Sequence, residues 1–105
     1  PLLHLSAAFA TCQTVQIAKV AEAMRLEFGE IKIDATIETG RGDGRESNSR
    51  IIRIVGAKLE ITLQANVTEK KLERLQRMAL DRCPIGALLE DAGVVPEIVW
   101  DVQPL

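Results

Sequence analysis

The chain has 105 residues, 47% of them hydrophobic, with 13 Lys+Arg against 15 Asp+Glu and a formal net charge of -2. That length supports one domain with one core, and the charge balance argues against nucleic acid as the main partner, because phosphate binding needs concentrated positive charge. Two cysteines are too few for a disulfide-stapled secreted scaffold, no signal-peptide pattern is visible, and no apolar run reaches the ~18 residues that span a bilayer, so the expected compartment is the cytoplasm, with no membrane partner.

From Leu2 to about Phe28 nearly every residue is a good helix former. Pro1 suits the start, because a first helical position needs no N–H, and Gly29 reads as the stop. Leu2, Leu5, Ala8, Phe9, Cys12, Val15, Ile17, Val20 and Met24 cover more than one stripe of this helix, which points to a subunit interface. Residues 30–38 alternate, with Ile31, Ile33, Ala35 and Ile37 on one face and Lys32, Asp34, Thr36 and Glu38 on the other, as in a strand with one wet face. Residues 39–50 are Gly-rich and polar and read as a loop. In the next strand system Ile52 and Ile54 share one parity and Leu59, Ile61 and Leu63 the other, so a bulge is expected near Gly56.

Asn66 or Thr68 caps a second helix, Asn66 and Glu69 having capping-box spacing. Its apolar stripe is Leu72, Leu75, Ala79 and Cys83, opposite a solvated face of Lys70, Lys71, Arg74 and Arg77. Pro84 drives Cys83 out of helical geometry. A short helix from about Ile85 to Ala92 ends at Gly93, and a last strand turns Ile98, Trp100 and Val102 inward. The class is α+β with an antiparallel or mixed sheet.

Cys12 and Cys83 each sit on the core-facing stripe of a helix. One reading makes both small buried hydrophobes. The other brings the two thiols together where the helices pack, with Cys83 at a helix end. A His4/Cys12/Cys83 metal site is a third and weaker reading, His4 being expected beside the helix bundle as a hydrogen-bonded structural group. The Arg41-Gly42-Asp43 tripeptide is expected to be only a turn.

The stretch PLLHLSAAFATC (1–12) resembles the start of the central helix of the OsmC/Ohr family, and LERLQRMALDRCPI (72–85) resembles that family's second-cysteine helix. The alternating strand GAKLEITL (56–63) and the closing strand stand in the corresponding places. The resemblance implies a single OsmC-like domain in an intertwined homodimer. It implies a thiol peroxidase that prefers organic hydroperoxides, with Cys12 as the peroxidatic thiolate and Cys83 as the resolving thiol, reopened by a dithiol reductant. Leu5, Phe9 and Val15 would then supply an apolar wall for the substrate, and no metal or cofactor is expected. Two departures stand out. The family places a Glu where this chain has Leu2, and its activating Arg comes from N-terminal strands that would precede Pro1. These departures favour an alternative, an OsmC-like dimer without peroxidase activity that binds an apolar small molecule at its interface.

Overall fold

The computed structural model describes residues 1–43 and 50–105. Helix α1 (Leu2–Ala23) is followed by strands β1 (Glu27–Asp43) and β2 (Arg50–Asn66), helices α2 (Glu69–Asp81) and α3 (Pro84–Asp91), and strand β3 (Glu97–Gln103). The sheet order is β1-β2-β3. β1 and β2 form an antiparallel hairpin, whereas β3 returns parallel to β2 after the α2–α3 crossover. The fold is therefore α+β with helices packed on a mixed three-stranded sheet. None of the helices among the described residues is long and apolar enough to cross a membrane.

α1 stops earlier than its composition suggests. Arg25 takes a left-handed conformation (φ 56°), its N–H bonds to Glu22 O and the Leu26 N–H bonds to Ala21 O. These are the two hydrogen bonds of a Schellman cap, so the terminator is Arg25 and not Gly29. Gly29 lies in β1 at a register shift, where a Cβ would come within 2.8 Å of Leu105 and 3.0 Å of the Gln64 side-chain oxygen. That oxygen accepts a hydrogen bond from Glu30 N–H, so the glycine admits a side chain that satisfies the local break in the ladder.

The expected loop at 39–50 is likewise corrected for its described residues. Thr39–Asp43 continue β1 and pair in order with Ile54–Arg50, so the backbone of the Arg41-Gly42-Asp43 tripeptide is strand and not turn. A continuous ladder outweighs the weak strand preference of Gly40 and Gly42. Residues 44–49 lie outside the described residues. The expected bulge is present: Glu38 pairs with Gly56 and Thr39 with Ile54, leaving Val55 as the extra residue. Past it the inward face of β2 is Ala57, Leu59, Ile61, Leu63 and Ala65, all buried.

The helices cover that face. Phe9, Gln13, Ile17, Val20 and Ala21 form the buried stripe of α1, joined by Leu75 and Ala79 of α2, Cys83, and Leu89 of α3. Thr68 caps α2 by accepting the Lys71 N–H. Asn66 does not: its amide donates to Glu27 and its oxygen accepts from Leu105 N–H, tying β2 to both neighbours. α3 begins one residue earlier than expected, at Pro84, and Gly93 (φ 86°) supplies its left-handed end.

Candidate functional site

Cys12 lies on the third turn of α1, one step around the helix from the buried stripe, and is half-buried. Cys83 closes the Leu72-Leu75-Ala79 stripe of α2 and is fully buried. Pro84 forces the backbone of Cys83 into an extended conformation (φ -85°, ψ 108°). This geometry makes Cys83 the N-cap of α3, its Sγ accepting the Gly86 N–H at 3.5 Å. The proline occupies the first helical position, where its missing N–H costs nothing.

The packing of α1 against the α2–α3 junction brings the two sulfurs to 3.2 Å, with the Cys83 thiol donating to Cys12 Sγ. Both cysteines are free. Burial pushes the Cys83 thiol up to about 11; the Gly86 N–H opposes this shift and the Cys12 sulfur adds to it. Cys83 therefore keeps its proton at neutral pH. The buried Phe9 ring lies beside Gly86, three residues after Cys83. A Cβ on Gly86 would lie 3.6 Å from the Phe9 ring, 3.3 Å from Leu80 and 3.7 Å from Cys83 Cβ, so glycine lets α3 approach closely.

The remaining candidate residues fall in different places. Leu5, two turns before Cys12 on α1, lines an open apolar hollow beside α3. Phe9 is wholly buried, and Val15 is exposed on the flank of α1. His4 is exposed on the first turn, which corrects the expectation that it joins the helix bundle. No three His, Cys, Asp or Glu side chains converge to hold a metal among the described residues. Two residues carried no signal that singled them out. Gln13 occupies the α1 core stripe at helical spacing between Phe9 and Ile17, and Arg53 interrupts the apolar run of β2 at the hollow.

The family model described as OsmC-like protein matches residues 1–98. The chain belongs to the OsmC-like protein family. In three dimensions it is similar to an OsmC-like protein of Mycoplasma pneumoniae, with a TM-score of 0.80 at 13% identity over 98% of this chain and 71% of that one. A hypothetical protein of Aquifex aeolicus has a TM-score of 0.76 at 21% identity over 100% of this chain and 74% of that one. The organic hydroperoxide resistance protein OhrB of Bacillus subtilis has a TM-score of 0.69 at 17% identity over 96% of this chain and 69% of that one. At such identities the likeness shows a shared fold. No curated protein sequence is a significant match. OsmC-like proteins typically form dimers.

Proposed function

We propose that this OsmC-like chain is a thiol peroxidase that reduces organic hydroperoxides, working as a homodimer. The observation that carries this reading is the 3.2 Å separation of Cys12 and Cys83 Sγ, between residues 71 positions apart in the chain. The division of labour follows from burial. Cys12 is the more accessible sulfur, and Cys83 is the buried thiol that holds its proton.

In the reaction the Cys12 thiolate attacks the distal oxygen of R–O–O–H. The O–O bond breaks, the alkoxide takes up a proton and leaves as the alcohol, and Cys12 is oxidised to a sulfenic acid. The Cys83 sulfur then attacks Cys12 Sγ as its proton leaves. An S–S bond forms, and hydroxide departs with that proton as water. A bonded pair of sulfurs stands at ~2.0 Å, so from 3.2 Å this step needs only about 1.2 Å of approach. A dithiol reductant then supplies two electrons and two protons, restores both thiols, and leaves as its own disulfide.

The test is a thiol count before and after cumene hydroperoxide. Both thiols should disappear in the native chain, and Cys12→Ser should leave Cys83 reduced. Survival of both thiols at excess peroxide overturns the reading. The open apolar hollow at Leu5 favours a second reading, a dimer that binds an apolar small molecule without peroxidase chemistry, and surviving thiols would select it.

A further inference from the structure

Cys12 and Cys83 are both free, and their sulfurs stand 3.2 Å apart. The Cys83 sulfur is positioned from two sides. Pro84 holds its backbone extended, and the Gly86 N–H points at it from 3.5 Å. Cys83 is fully buried and Cys12 half-buried, so a reagent meets Cys12 first. A pair of donors held in place beforehand loses little freedom when one atom bridges them.

The separation discriminates between bridging atoms. A centre bonded to both sulfurs at roughly 2.3 Å sets them about 3.3 Å apart when the bond angle is about 90°, about 3.8 Å apart when it is tetrahedral and about 4.6 Å apart when it is linear. The observed 3.2 Å matches the first. A linear two-coordinate ion would drive the sulfurs apart by about 1.4 Å, against the packing around the buried Cys83. A tetrahedral zinc ion needs further ligands, and no third His, Cys, Asp or Glu joins the pair among the described residues. Angles near the right angle belong to a pyramidal centre carrying a lone pair, and trivalent arsenic is such a centre, soft enough to prefer sulfur. This chain has two cysteines. They match an arsenical with two exchangeable hydroxyls and one carbon substituent, whereas inorganic arsenite has three hydroxyls.

We propose that Cys12 and Cys83 chelate monosubstituted trivalent arsenicals, R–As(OH)2, as a dithiolate that bridges α1 and the α2–α3 junction. Each sulfur forms one bond to arsenic. Each As–O bond breaks as its hydroxyl leaves with a thiol proton, so two molecules of water are released. Arsenic stays trivalent and both sulfurs stay fully reduced, so no oxidant or reductant takes part. The chelation rests on the sulfur geometry and not on the peroxidase reading.

The experiment adds methylarsonous acid to the reduced chain and reads intact mass together with a free-thiol count. One arsenic should bind per chain, both thiols should be lost, and an excess of a small dithiol should restore them. Removing either sulfur leaves a one-point attachment, and two-point attachment gains at least about 100-fold. Cys12→Ser and Cys83→Ala should therefore each bind at least a hundred-fold more weakly. A native adduct in which one thiol still titrates, two arsenic atoms per chain, no adduct at all, or a smaller loss in either variant would overturn the proposal. The thiol count on the native chain decides the matter by itself if a variant fails to fold. If chelation holds while both thiols survive cumene hydroperoxide, the arsenic site stands and the peroxidase reading falls.

Discussion

Gln13 lies on the core stripe of α1, completely buried, and neither its amide nitrogen nor its oxygen has a hydrogen-bond partner. Leaving a buried polar group unsatisfied costs about 1–3 kcal/mol, whereas an apolar side chain of the same shape carries no such penalty. Gln13→Met should therefore raise the unfolding free energy by about 1–3 kcal/mol, read from urea denaturation midpoints. A loss of stability would show that the amide holds an internal water. Cys83 gives a second prediction. Its thiol is raised from 9.0 to about 11 in the folded chain, so the folded state holds the proton more tightly than the unfolded one. The stability this adds is complete below pH 9 and declines as the pH rises toward 11. Cys83→Ser should flatten that alkaline decline in a pH series of thermal melts; an unchanged slope would assign the decline to other groups.

At the level of the elements, the ends of the helices decide what comes near the sulfurs. Arg25 stops α1 after 22 residues with a left-handed backbone, a conformation that a side chain disfavours and glycine does not. Arg25→Gly should therefore stabilise the chain by about 0.5–1 kcal/mol, measured by thermal unfolding, and a decrease would mean that the arginine side chain contributes contacts that outweigh its backbone strain. The α2–α3 junction does more than join two helices. Pro84 fixes the extended backbone of Cys83, and that backbone turns the sulfur toward both Gly86 N–H and Cys12. One residue is thus the end of a core stripe, a helix cap and half of the thiol pair.

The whole chain measures 53 × 20 × 19 Å, because the β1–β2 hairpin runs past the body. β3 pairs with β2 only from Lys58 to Gln64, so the pairs from Thr39–Ile54 to Asp43–Arg50 form a two-stranded arm. Such a ribbon is marginal in water by itself. This one leaves Ile52 63% and Val55 57% exposed, while Leu3 is 85% exposed on α1. A second copy covering these surfaces accounts for both features. Sedimentation at micromolar concentration should give a dimer, and Ile52→Asp should shift it toward monomer; a native chain that sediments as a monomer contradicts the proposed assembly.

The α+β class, the alternation in β1 and β2, the bulge near Gly56, the α2 stripe ending in Cys83 and the break at Pro84 were all legible in the chain. Each depends on local sterics or on a short hydrophobic period that a single segment displays by itself. The end of α1, the strand character of residues 39–43 and the choice of Thr68 over Asn66 as cap were not. The end of α1 was set by the left-handed backbone of Arg25, which its residue type does not announce; the other two were set by partners distant in sequence, the pairing of β1 with β2 and the bonds that draw Asn66 to Glu27 and Leu105. The candidate site divides the same way. Sequence marked Cys12 and Cys83 as residues able to do thiol chemistry, but spacing along a chain carries no information about separation across a fold. Only the docking of α1 against the α2–α3 junction sets two sulfurs 3.2 Å apart and buries one more deeply than the other.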